Sequence, residues 1–401
     1  MQSDYPLLIT LGTLIVLAPI IRSLLERIGV PALVGYIGLG FAVSAMDNLW
    51  SFITPASESV FSAMAQLGIV ALLFRVGLKS HTSALLAKLP DASIIWIGDV
   101  LANLAIGYLV SRYVLALPLE TSLVIAAAFS ATSVAVSVAV WDEANKLGTS
   151  RGQLLVDVAE LDDLSGVLIL AVLLAIIPAL QEGGSQLLPL AGATALTVLT
   201  KLFLFIAGCY LFAHFLEEKF TRLSHRLEGT ATALTITILG VGLAIASVAG
   251  YLGFSLAIGA LFAGLAFSRD PKAVHTDSGF VYFYEFLTPF FFIHIGMQMD
   301  TGALFTSFGT GALLFLAAVL GKFAGVAGPA LLSLGRNDAI LLGISMIPRA
   351  EIALVIMYQC LQFGEDIVPA RIFTGMVLVS LATSIFSPIV LRHMLGGAPP
   401  R

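Results

Sequence analysis

The sequence predicts an all-α polytopic membrane protein, and three observations carry that prediction. Of 401 residues, 58% are hydrophobic and only 11% are charged, about half the charge of an ordinary soluble domain. Mean hydropathy is +0.99. Apolar runs follow one another along the whole chain, many near the length of about 20 residues that a helix needs to span a bilayer. The formal net charge of -5 comes without a basic patch, so no nucleic-acid partner is expected. Cys209 and Cys360 stand singly in apolar runs, without CxxC or metal-type spacing, and read as packing residues.

Taken in order, about thirteen transmembrane helices are expected. The first follows Asp4 and lacks a small-residue cleavage site, so it reads as a retained span rather than a leader. The first six spans cover roughly 6–25, 31–46, 58–78, 91–115, 119–141 and 151–180. The seventh, at roughly 187–216, precedes a charged loop from Glu217 to Glu228, and six more follow at roughly 229–249, 251–268, 279–299, 302–334, 337–361 and 367–394. Pro31 opens the second span, Pro289 is expected to divide the tenth, and Pro348 interrupts the twelfth, because proline lacks a backbone donor and crowds the preceding turn. Backbone groups freed at membrane depth need protein or a wet cavity to receive them. The fifth span, FSATSVAVSVAV from Phe129, is small and hydroxyl-rich and also reads as discontinuous, although small residues equally suit a helix-packing face. Spans five and twelve stand seven apart. Spans one to six and eight to thirteen would then be two inverted-topology repeats with crossed discontinuous helices, the plan of secondary transporters.

Lysine and arginine set the orientation. On this span map Arg22, Arg27, Lys79, Lys88, Lys146, Arg151, Lys219, Arg222, Arg226, Arg269, Lys272, Arg336, Arg392 and Arg401 share the side of the C-terminus, and only Arg112 and Arg371 fall opposite. The C-terminus is therefore expected in the cytoplasm and the N-terminus outside.

Span six contains VDVAELDDLSG, which puts Asp157, Glu160, Asp162 and Asp163 in apolar surroundings. Each ionised acid at the centre of such a helix costs about 2.5–3.5 kcal/mol on insertion scales. At about 100° per residue, Asp157, Glu160 and Asp163 fan across one side while Asp162 points away, so the adjacent pair addresses two neighbours. Salt-bridged helix glue is the structural alternative. The pair is read here as a cation and proton site, with Thr132 and Ser133 one span earlier adding hard oxygen ligands.

SATSVAVSVAV, a short basic loop and then AELDDLSGVLILA resemble the signature of the monovalent cation/proton antiporter superfamily, in its NapA-like sodium/proton branch with an Asp-Asp pair. The resemblance continues in IGVPALVGYIGLG (28–40), LGIVALLFRVGLK (67–79), FFFIHIGMQMD (290–300), GKFAG (321–325) and PRAEIALVI (348–356), and so covers nearly the whole chain. It implies an NhaA/NapA-like fold in a homodimer within the lipid of a bacterial inner membrane. Residues 1–90 and 229–300 would form a dimerisation domain, 91–180 and 301–401 a core ion-transport domain, and 187–228 the connector. The implied activity is secondary antiport, not enzymatic turnover, of sodium or lithium against protons. No cofactor is implied beyond the transported ions. Asp163 would be the cation ligand and proton carrier, and Asp162 the partner of Lys322. If that pair opens on cation binding, a second proton moves and exchange is electrogenic.

The residues themselves support the Asp162–Lys322 pairing, since a facing carboxylate stabilises a lysine that would otherwise lose its proton or snorkel to the surface. Sequence leaves the depth of Lys322 open. Arg75 and Lys79 depart from the family pattern, as do the extra acids Asp157 and Glu160. Arg75, Lys201 or Arg349 is expected to neutralise Asp157, Glu160 or Asp99, and Glu351 to pair with a basic neighbour. His294 reads as a core histidine or a pH sensor. Potassium/proton exchange is the close rival, and a passive cation channel a more distant one. An intramembrane aspartyl protease fits poorly: the glycine two before Asp99's neighbour Gly98 is missing, and Asp162 and Asp163 share one helix.

Overall fold

In lipid a backbone must satisfy its own polar groups, which leaves the helix as the default for apolar runs of this length. The computed structural model describes residues 5–79, 82–181, 187–217, 219, 231–252, 254–268 and 277–396. Most of the loop 217–228, with Arg222 and Arg226, lies outside the described residues, as do Arg269, Lys272 and Arg401. The helices are α1 Tyr5–Arg27, α2 Ala32–Trp50, α3 Pro55–Lys79, α4 Thr82–Leu109, α5 Leu119–Ser130, α6 Ala135–Glu143, α7 Ser150–Gln181 and α8 Leu187–Leu211. They continue with α9 Ala231–Tyr251, α10 Leu256–Phe267, α11 Asp277–Met297, α12 Ala303–Ala330, α13 Arg336–Ser345, α14 Glu351–Leu361 and α15 Ala370–Leu395. Among the described residues nine helical stretches are long and apolar enough to cross a membrane, and four shorter apolar helices accompany them. One falls in each expected run. The chain is an integral membrane protein.

The fifth and twelfth spans are broken as expected, into α5 and α6 and into α13 and α14. The tenth is not: α11 runs through Pro289, just as α1, α7, α12 and α15 run through Pro19, Pro178, Pro329 and Pro388. A proline removes one hydrogen bond, and a membrane helix absorbs that loss because opening the backbone in lipid costs more. At Pro348 the helix opens because the freed groups find partners. Ser137 and Ser387 hydroxyls donate to the carbonyls of Ser345 and Ile344, at 2.6 and 2.8 Å, and Arg349 N–H donates to Thr383 Oγ1 at 3.1 Å.

Two compact units are present. One comprises residues 1–15, 51–82 and 174–294. Within it α10 lies along α3 at a glycine seam. A Cβ on Gly77 would sit 2.1 Å from the Leu261 carbonyl oxygen, and one on Gly264 2.1 Å from that of Phe74. Close backbone approach through small residues substitutes for the hydrophobic driving force that lipid abolishes. Phe74 closes this seam against Phe280, with ring centroids 5.3 Å apart.

The other unit comprises residues 16–50, 83–173 and 295–401 and holds both broken spans. Its apolar core gathers Ile95 of α4, Trp141 of α6, Leu155 and Val158 of α7, Val326 of α12, Leu342 of α13 and Leu391 of α15.

The seam in the first unit yields a stability prediction. Gly264→Val cannot be accommodated without moving backbone, so it is expected to cost about 1–3 kcal/mol, the usual range for overpacking. Thermal unfolding in detergent should show a lowered midpoint; an unchanged midpoint would mean that the two helices separate freely.

Candidate functional site

The two helix breaks meet. Ser133 N–H in the α5–α6 break donates to the Pro348 carbonyl in the α13–α14 break at 2.8 Å. Ala131 is extended there, with φ −75° and ψ 138°, and the Thr132 and Ser133 hydroxyls offer the local alternative bonds that let a chain leave the helix.

The break exposes the carbonyl end of α5, which carries roughly half a negative charge. Two buried cations cover it. Arg349 Nη1 donates to the Phe129 carbonyl and to that of Ala131 at 3.3 Å. Lys322 Nζ donates to the Ser130 carbonyl at 2.8 Å. Both side chains are 0% exposed, so the alternative that Lys322 snorkels to the surface is excluded.

Lys322 has two carboxylate partners: Asp99 Oδ2 at 2.6 Å and Asp162 Oδ2 at 3.0 Å, both fully buried. With Ser130 these give the ammonium three acceptors for three protons. The Lys322–Asp99 contact depends on a tight approach of α4 and α12. A Cβ on Gly325 would stand 2.8 Å from Ala102 Cβ and 3.1 Å from Asp99 Cα, and one on Gly321 3.0 Å from Asn103 Oδ1. The GKFAG glycines thus bring the lysine to the acid. Asp99 is held at its other oxygen as well, where Asn103 Nδ2 donates to Oδ1 at 2.6 Å. Arg349 Nη2 in turn donates to Asn103 Oδ1 at 2.7 Å.

Adjacent positions on α7 separate the two aspartates, as the helical spacing anticipates. Asp162 is sealed, and its Oδ2 accepts from Lys322 and from the Thr132 hydroxyl. Its Oδ1 has no hydrogen-bond partner among the described residues. Asp163 is partly exposed, and among the described residues no protein group donates to it or pairs with it. Its charged neighbours are Asp162, Glu351, Lys322 and Glu160, a set in which acids outnumber the cation.

Several expected pairings are corrected. Among the described residues Glu351 makes no ion pair with a basic neighbour; it accepts a hydrogen bond from the Ser133 hydroxyl, and Arg349, two residues earlier, points to the end of α5. Arg349 neutralises no carboxylate by direct contact among the described residues; its bonds go to carbonyls and to Asn103. Arg75 lies 4.0 Å over the Tyr284 ring, a cation–π contact. Lys201 is exposed on α8. Asp99 is satisfied by Lys322. Asp157 and Glu160 are partly exposed on α7, each engaged with other groups. His294 is buried, 3% exposed. Sequence reasoning missed Asp99 and Asn103 as members of the cluster. The available signal was their i, i+4 spacing on an apolar helix, which places both on one face.

The family described as "Sodium/hydrogen exchanger, transmembrane" matches residues 12–396. The chain is 26% identical over 373 residues to a Na+/H+ antiporter of Enterococcus hirae, covering 92% of each. It is 25% identical over 351 residues to the high-affinity Na+/H+ antiporter NhaS3 of Synechocystis, covering 86% of this chain and 73% of that one. Among solved structures, the sodium proton antiporter MjNhaP1 of Methanocaldococcus jannaschii superposes with a TM-score of 0.68 over 98% of both chains at 16% identity. That likeness is one of fold.

The cluster carries its own prediction. Lys322→Met strands two buried carboxylates and is expected to destabilise the protein by about 3–5 kcal/mol, as removal of one partner from a buried pair does. Neutralising all three, with Asp99→Asn, Asp162→Asn and Lys322→Met together, should melt higher than Lys322→Met alone in the same detergent. A triple variant that melts lower would show that the carboxylates do not repel when the lysine is gone.

Proposed function

Since the chain belongs to the sodium/hydrogen exchanger family, we propose that it is a secondary antiporter that exchanges sodium, and also lithium, for protons across a bacterial inner membrane. The observation that carries this reading is Asp163: partly exposed, without a protein partner among the described residues, and set among further acids where two broken helices cross. A carboxylate left open in that way takes a small hard cation or a proton, never both. Competition for one carboxylate is the coupling.

The neighbours have supporting roles. Asp162, released from Lys322, adds a second carboxylate to the cation, and the Thr132 and Ser133 region adds hydroxyl and carbonyl oxygen. Glu351 and Arg349 hold the crossed breaks in shape, and Glu160 and Asp157 extend the acidic side of α7. In the cycle, residues 91–180 and 301–401 carry the ion and move against 1–90 and 229–300, which hold the homodimer, with 187–228 as connector. The excess of lysine and arginine on one side supports a cytoplasmic C-terminus. A fixed ammonium beside Asp162 opposes free passage of cations, which favours alternating access over a channel.

The test is a pH-gradient assay in proteoliposomes with sodium, lithium and potassium in turn. Sodium should dissipate the gradient by exchange; a gradient that only potassium dissipates would reassign the substrate. Asp163→Asn is expected to abolish exchange while leaving a protein that elutes and melts as wild type does. Normal exchange by that variant would falsify the central assignment. The pH dependence follows from the same competition. Wherever Asp163 is mostly protonated, each unit fall in pH should raise the apparent KM for sodium about tenfold. A KM constant between pH 6 and 8 would point instead to regulation by a separate group.

A further inference from the structure

Electrogenic exchange was the expectation for a lysine with one acidic partner, which must lose its proton when that partner turns to the cation. Lys322 has two. Its ammonium lies 2.6 Å from Asp99 Oδ2 and 3.0 Å from Asp162 Oδ2, and the two carboxylates are held differently. Asp99 has both oxygens engaged, Oδ2 by Lys322 and Oδ1 by Asn103, which Arg349 fixes in turn. Asp162 accepts only at Oδ2, and its Oδ1 is free of hydrogen bonds among the described residues. When the cluster opens, Asp162 is the arm that can swing.

Building on the sodium/proton reading above, we propose that Asp99 is a positioning residue that keeps Lys322 charged throughout the cycle and so fixes exchange at one proton per cation. The charges balance as follows. With sodium between ionised Asp162 and Asp163, and Lys322 resting on Asp99, the group carries a single net negative charge. With sodium released, a proton from the facing solution sits on Asp163, and Lys322 bridges Asp99 and Asp162. The net charge is the same. The proton leaves to the opposite solution when sodium returns, and no net charge crosses. Without Asp99, Lys322 would lose its only remaining carboxylate whenever Asp162 took the cation, and it would release its own proton as a second one. The other charged groups facing this cluster are Arg349, which meets it through Asn103, and Glu351, held by the Ser133 hydroxyl. Neither contacts Lys322 directly, so neither replaces Asp99.

The full-length protein in proteoliposomes tests this. With the sodium gradient fixed, the pH gradient is varied until net exchange stops, first without a membrane potential and then with one clamped by potassium and valinomycin. Wild type should stop at the same pH gradient in both cases. Asp99→Asn should not: one elementary charge at about 100 mV is worth about fifty-fold in ion ratio, which two protons share, so its balancing proton ratio shifts about sevenfold. A merely structural role for Asp99 would change rates and leave the balance point alone. The proposal is overturned if the wild-type balance point moves with potential, or if that of Asp99→Asn stays fixed. Should Asp99→Asn not assemble, Asp99→Ser, which leaves room for water beside the ammonium, is measured with the same two outcomes. A wild type that shows no sodium/proton exchange at all would sink the functional reading instead, so the two failures are distinguishable.

Discussion

Lys322 is the contact on which the unit with the crossed helices depends. Its three protons go to three elements: the Asp99 carboxylate of α4, the Ser130 carbonyl at the end of α5 and the Asp162 carboxylate of α7. The need arises from the backbone. A helix that stops at membrane depth leaves carbonyls that no water can reach, and here the end of α5 is closed by Lys322 and Arg349. Two cations taken fully out of lipid and water require compensation in turn. Asp99 and Asp162 provide it, so a broken helix at depth leads by successive physical demands to a four-charge cluster.

Such a cluster is weak evidence for stability, because desolvation offsets most of what the ion pairs return. Its effect here is on position. Asn103 between Asp99 and Arg349, and the Thr132 hydroxyl on Asp162, make each charged group answer to a different helix. A shift of α5 or α7 relative to α4 breaks a buried charged contact, so intermediate placements are penalised and two discrete arrangements are favoured. Alternating access needs an element with that property.

Much of this was legible in the sequence, for reasons that particular residues make plain. Asp162 and Asp163 announced themselves because ionised groups in an apolar helix are costly, and their adjacency fixed orientations about 100° apart before any fold was known. Thr132, Ser133 and Pro348 marked the breaks through chemistry that is local to the chain. What could not be read was which faces meet. Asp99 and Lys322 are 223 positions apart, and their contact depends on glycines at 321 and 325 allowing α12 to close on α4. Glu351 and Arg349, near neighbours in sequence, part company because one opens α14 while the other lies in the break. Pro289 misled because proline chemistry describes what a helix loses, whereas the outcome depends on whether anything nearby would accept the freed groups.

The separation of Asp162 from Asp163 is where structure turns into function. Had both acids been sealed and paired, the site would be a salt bridge and nothing more; had both been open, two neighbouring carboxylates would compete for the same proton. One residue of helix rotation gives one acid to the scaffold and leaves the other without a protein partner among the described residues. The asymmetry also gives the sealed acid a second use. Asp162 shares its lysine with Asp99, so in the proposed cycle it would leave that lysine without stranding a charge, and the open carboxylate would gain a partner only while a cation holds the two together. An unsatisfied carboxylate on α7 is costly in apolar surroundings, and under the proposed exchange that cost is what would favour the uptake of either ion.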